Sequence, residues 1–129
     1  MKICLDTNVF PKLARHYLPL TDLIDESEIV YIPVIVTGEL FAGFRMGDRF
    51  EQNRQEFNSF VSLSGVQEIQ INHTIADRYG ILVNNLKKNG KPIPTNDIWI
   101  AAVALETGSH LVTYDNHFDN IDGLIILSP

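Results

Sequence analysis

The sequence predicts an α/β domain built on a mainly parallel sheet, and three observations predict it. Short apolar runs, each the length of one strand, alternate with longer segments whose apolar residues recur at helical spacing. Parallel neighbours need a crossover, and a helix, as found between successive runs up to the fourth, is the usual one. Two of the runs also stop on an acid, at Asp6 and Asp115, as expected where the carboxyl ends of parallel strands open onto a crevice.

Taken in order, "KIC" and Leu5 form the first strand, ended by "DTN". Val9, Leu13 and Tyr17 then follow a helical period, with Asn8 placed to cap and Pro11 tolerated in the first turn. "EIVYI" is a second strand, and Pro33 suits the first turn of a helix through "PVIVTGELFAGFRM" despite its β-branched opening. "DRFEQNRQEFNSFVSL" puts Phe50, Phe57 and Val61 on one face, with Asp48 and Glu51 spaced as a capping box. "VQEIQI" alternates as a strand does. The helix from "NHTIADRYG" carries Ile75, Tyr79, Leu82, Val83 and Leu86 on one stripe and stops at Gly90. Two prolines make "GKPIPT" a loop, after which "NDIWIAAVALETG" is helical and apolar nearly all round. "SHLVTYD" and "GLIIL" complete the set as fourth and fifth strands, separated by the loop "DNHFDNIDG".

A length of 129 residues fits one domain, residues 1–129, without linker, repeat or low-complexity tract. The single Cys4 forms no internal disulfide and completes no zinc knuckle, so a reducing compartment is expected. No run approaches the roughly 20 apolar residues of a membrane span, and no basic segment precedes one, so the expected location is cytoplasmic. The net charge of −6 argues against a broadly basic nucleic-acid surface. Charge is unevenly spread, however: every Lys and Arg lies at or before Lys91, while Asp97, Glu106, Asp115, Asp119 and Asp122 follow it.

Four carboxylates stand out by context. Asp6 and Asp115 end apolar strands, Asp97 opens an apolar helix, and Glu39 lies within the apolar "VTGELFAG". Asp6 also reads as a helix cap, Asp115 as a turn residue, and Asp97 as a first-turn acid complementing the helix dipole. Glu39 resists a structural explanation, since Glu is rarely buried unpaired and its neighbours Gly38, Ala42 and Gly43 leave space around it. Converging carboxylates raise one another's pKa, and a divalent cation relieves that repulsion. Oxygen donors without Cys or clustered His favour Mg²⁺, with Mn²⁺ able to substitute, over zinc. Two dications would bring the formal charge from −6 to about −2 and ease the approach of a polyanion.

"LDTN", "GELFAG", "PIPTNDIWIAAVA" and "LVTYDNHF" resemble, in order and spacing over nearly the whole chain, the motifs of the PIN-domain nucleases. Among these the chain most resembles the VapC-type toxins of type II toxin–antitoxin pairs. The resemblance implies a five-stranded parallel sheet flanked by helices on both faces, and a metal-dependent endoribonuclease that hydrolyses RNA with metal-activated water. It places the acidic quartet on Asp6, Glu39, Asp97 and Asp115, which serve as catalytic and metal-holding residues, with Asp119 as a possible fifth acid. Thr7, Asn8 and Thr113 are expected to orient the ligands. Arg45 and Arg49, which follow Glu39, are the basic residues expected to meet RNA phosphates. The resemblance further implies a VapB-like antitoxin as partner and a homodimer, with a higher hetero-oligomer when antitoxin is bound.

Other residues carry weaker chemistry. Cys4 reads as core, His117 as a turn-stabilising side chain, and Lys91 lacks the upstream glycines of a phosphate loop. A phosphoacceptor receiver domain shares the general fold class but needs a Lys at a late strand end, and none follows Lys91. The alternatives are a non-catalytic PIN-fold binding module and an RNA-processing nuclease without an antitoxin. The intact quartet speaks against the first, and the minimal length against the second.

Overall fold

A computed structural model describes residues 1–129. Five parallel strands form one sheet in the order β3-β2-β1-β4-β5, with β1 at Lys2–Leu5, β2 at Ile29–Pro33, β3 at Val66–Ile69, β4 at His110–Val112 and β5 at Ile126–Leu127. Six helices connect them: α1 Phe10–Ala14, α2 Leu18–Glu26, α3 Val34–Arg45, α4 Phe50–Val61, α5 His73–Lys88 and α6 Thr95–Thr107. The chain builds outward from β1 to β2 and β3, then returns to pair β4 with the free side of β1. That reversal makes the carboxyl ends of β1 and β4 the switch point, where open α/β sheets place their ligands.

Both faces of the sheet are covered because successive strand residues point to opposite sides. Ile3 and Leu5 pack with Val9, Leu20, Val30 and Val112 on one side, with Leu23 and Ile24 of α2 against them. Cys4 packs on the other with Tyr31, Leu111 and the buried residues of α5 and α6. Helix α6 is apolar nearly all round through its middle for a physical reason. It lies between the sheet and α5, so Ile98, Ile100, Ala101, Ala102, Val103 and Ala104 are all buried, and the alanines permit close approach. Gly108 ends it in the left-handed conformation, φ 64°, which relieves its last carbonyls. No helix is long and apolar enough to cross a membrane.

Local readings fail in four places. The helical run predicted from Val9 to Tyr17 is a 3₁₀ turn, Thr7–Val9, followed by the five residues of α1, and its cap is Asp6 rather than Asn8. Helix α2 is not expected from the reading above, although Pro19 in its first turn and Leu20 with Ile24 one turn apart mark it. Asp48 does not cap α4; Arg49 occupies that position without a side-chain cap bond, so the capping box is absent. Asp115 lies three residues past the end of β4, where it caps a second 3₁₀ turn, Asn116–Asn120.

Candidate active site

Asp6 is held by the architecture on every side. Its backbone N–H donates to the Val112 carbonyl (3.0 Å), extending the β1–β4 ladder by one residue past Leu5. Its side chain then splits its two oxygens: Oδ1 accepts from the Thr7 N–H and Oδ2 from the Thr113 hydroxyl, both at 2.7 Å. Thr113 is fully buried, and its Oγ1 accepts in turn from the Asp115 N–H at 3.0 Å. One hydroxyl thus fixes the relative positions of two acids that lie far apart in the chain. Thr7 Oγ1 donates to Glu39 Oε1 at 2.7 Å, tying the end of β1 to α3, and Asn8 Oδ1 accepts from the Tyr114 N–H at 3.2 Å.

Asp97 enters from the first turn of α6, where the helix N-terminus favours a negative charge. Its Oδ2 lies 2.9 Å from His117 Nδ1, and Asp115 Oδ2 lies 3.2 Å from the same nitrogen. Asp115 also accepts from the His117 N–H at 2.9 Å through Oδ1, which shapes the 3₁₀ turn. The structural and the functional readings of Asp6, Asp97 and Asp115 are therefore compatible: each terminates or opens an element and still presents a carboxylate. All four acids line one cavity of about 360 Å³, together with Thr7, Asn8, Gly43 and Phe44, and no Lys or Arg lines it.

Burial of these charges moves their titration. Burial pushes the Asp6 carboxyl up to about 6, with further upward pressure from Asp97 and Glu39 that the Thr113 and Thr7 hydrogen bonds only partly oppose. Asp97 is raised by burial first, against the pull of the His117 bond. His117 is raised chiefly by its bond to Asp97, with the negative charges around it adding to the effect. The two acids bind protons more tightly in the fold than when unfolded, so folding is favoured below their folded pKa and loses that contribution as pH rises. A raised His pKa has the same sign: its contribution is full at acid pH and is lost as pH climbs through the folded value. In metal-free buffer the melting temperature is expected to fall as pH rises from 5 to 8, and a pH series of thermal melts checks it. A melting temperature that rises over that range would contradict these assignments.

Three predicted residues lie outside the acidic cavity. Arg45 stacks its guanidinium 3.8 Å over the Phe50 ring, and Arg49 Nε donates to Gln52 at 3.1 Å, so both belong to the α3–α4 corner and neither lines the cavity. Asp119 lies in a neighbouring depression instead of with the quartet. Conversely, His117 does more than stabilise a turn. Asp97, Asp115 and His117 place three ligand atoms within 4.8 Å of one another. Its position two residues after Asp115 was the available signal, since the turn that Asp115 caps brings the ring back toward the acid.

A PIN-domain sequence profile matches residues 3–124. The chain belongs to the PIN-domain family. A ribonuclease VapC2 of Rickettsia felis is 30% identical over 127 residues, covering 95% of this chain and 93% of the relative. Among solved structures, the VapBC-1 complex of nontypeable Haemophilus influenzae superposes with a TM-score of 0.86 at 27% identity, covering 99% of this chain and 98% of the other. VapBC2 of Rickettsia felis, bound to a DNA fragment from its promoter, gives 0.83 at 28% identity and covers 98% of each chain. This PIN domain is therefore similar to VapC proteins over its full extent, including β1, α3, α6 and the turn after β4 that carry its acids.

Proposed function

We propose that this PIN domain is a divalent-metal-dependent endoribonuclease and the toxin of a VapBC-type pair. The observation that carries the reading is the convergence of Asp6, Glu39, Asp97 and Asp115 on one cavity without a neutralising Lys or Arg. The donor set fits Mg²⁺ or Mn²⁺: carboxylate oxygens with one imidazole beside them and no thiolate. An anionic Asp6 at 5% exposure is costly without a cation, which matches its raised pKa. Asp6, Asp97 and Asp115 would hold the cation, and Glu39 would hold a second one or act on water. When bound, the cation supplies Lewis acidity and neutralises charge at the scissile phosphate.

The chain's own groups do the rest. Thr7 and Thr113 fix the orientation of the Asp6 carboxylate by one hydrogen bond to each oxygen, and the Thr7 hydroxyl fixes that of Glu39. Glu39 Oε1 is taken by Thr7, leaving Oε2 to accept a proton from an attacking water. His117 holds Asp97 and Asp115 at a fixed separation through Nδ1. In-line attack leaves a 3′-hydroxyl and a 5′-phosphate. The similarity to VapC proteins solved in VapBC complexes supports a VapB-like antitoxin as partner and RNA as substrate; a homodimeric toxin acting in the cytoplasm completes the reading.

Purified protein incubated with total RNA is expected to give discrete fragments with Mg²⁺ or Mn²⁺ and none with chelator, read by end mapping. Intact RNA under every metal condition would remove the nuclease and leave a binding module.

A further inference from the structure

A second depression, of about 600 Å³, is lined by His117, whose Nδ1 contacts Asp97 and Asp115 of the acidic cavity. Its walls are the loop before α6, with Lys91 and Ile93, and the 3₁₀ turn after β4, with Asn116, Asp119 and Asn120. We propose that this depression is the subsite for the RNA nucleotide next to the scissile phosphate, and that its side chains set the cleavage sequence. The inference rests on the ribonuclease reading for the position of that phosphate.

Four observations carry it. The imidazole of His117 is the partition: it lines the second depression while its Nδ1 contacts Asp97 and Asp115 of the first, so the two are one ring width apart. Lys91 is the one Lys or Arg lining the depression, and it makes no ion pair within the chain. The side chains of Asn116, Asp119 and Asn120 form no hydrogen bond within the chain either, although each is exposed and close to its neighbours. Finally, both walls are tethered to the fold. Gly90 turns at φ 66°, the Lys91 N–H donates to the Leu86 carbonyl at 3.0 Å, and prolines flank Ile93. The facing turn is anchored by the fully buried Phe118.

The chemistry suits a single-stranded nucleotide. A lone lysine pairs with one phosphate, amides offer both donors and acceptors to a base edge, and Asp119 offers acceptors only, matching an exocyclic amine. The volume is in the range of small-ligand sites and too small for a duplex. Pre-set walls lower the ordering cost of binding. Asp119, which the family resemblance offers as a possible fifth acid, thereby acquires a base-reading role.

The test uses fluorescent eight-nucleotide oligo(A), oligo(C) and oligo(U), with Mg²⁺, on the Asp6→Asn protein so that cleavage does not intervene. Lys91→Ala in that background is expected to weaken all three several-fold and to reduce the slope of log affinity against log salt by about 0.7. Lys88→Ala, which removes a charge outside the depression, is the control and is expected to change the slope less. Asn120→Ala and Asp119→Asn are expected to change the ranking of the three oligomers, by at least about 5-fold for one of them. Unchanged slope and ranking, or no binding of any oligomer, would overturn the proposal. Wild-type cleavage of RNA is scored separately. Cleavage with unchanged slope and ranking removes the subsite alone; Lys91- and Asn120-dependent binding without cleavage removes the nuclease, overturns the cleavage-sequence role and leaves only a nucleotide-binding depression.

Discussion

Asp6→Asn is expected to lower metal-dependent RNA cleavage by at least about 100-fold, since even residues that only orient a metal's ligands cost about 10–100-fold when replaced. The same substitution is expected to raise the metal-free melting temperature at pH 7.5. Burial holds Asp6 at a pKa of about 6 against an ordinary 3.8, so its ionisation at neutral pH costs the fold about 3 kcal/mol. Asparagine removes that cost. It also presents one NH₂ where two acceptors stood, facing the Thr7 N–H or the Thr113 hydroxyl, a loss of about 1 kcal/mol. The net expectation is a gain of about 1–2 kcal/mol. Adding Mn²⁺ is expected to raise the melting temperature of the wild type and to leave the variant nearly unmoved, because only the wild type has the binding free energy to contribute. A variant that cleaves RNA normally, or that responds to Mn²⁺ as the wild type does, would remove Asp6 from the site.

Phe118→Ala carries the largest expected loss of stability. The ring is fully buried within the turn Asn116–Asn120, whose cap is Asp115 and whose second residue is His117. Truncating such a side chain costs about 3–5 kcal/mol, a large part of a small domain's total stability. The turn would lose its anchor in the core, and with it the placement of Asp115 and His117, two of the three groups clustered with Asp97. Urea unfolding at low temperature measures the first effect, and Mn²⁺ titration of the still-folded fraction measures the second. Phe118→Leu is expected to recover most of the stability. If Phe118→Ala unfolded at the wild-type midpoint, the ring would not anchor the turn.

The fold was legible because its elements are of types that sequence reports well. The five apolar runs became the five strands, and the long stripes of α5 and α6 followed their periods. What was lost lay within a few residues of turns. The α1 region ends at Arg15 because the chain reverses at His16, which adopts a positive φ of 55°, a conformation that nothing in the local residue types demands. Asp48 is well spaced for a cap, yet the chain enters α4 one residue later, and spacing alone does not say which residue takes the cap geometry. The four acids that line the cavity were readable since Asp6, Asp97 and Asp115 bound apolar segments and Glu39 interrupts one. The links between them were not, because the Thr113–Asp6 and Thr7–Glu39 bonds join positions that only the sheet order brings together. His117 was underrated for the same reason: its partner Asp97 is 20 residues away and on a different element.

That sheet order also has a consequence for how the protein is made. Thr113 follows Asp6 by 107 residues, and β4 must insert beside β1 before the two meet. At about 5–20 residues per second, roughly 5–20 seconds of synthesis separate them. During that interval the growing chain holds Asp6, Glu39 and later Asp97 without the segment that completes their surroundings. The carboxylate pocket is thus incomplete on the ribosome until β4 has emerged and paired with β1.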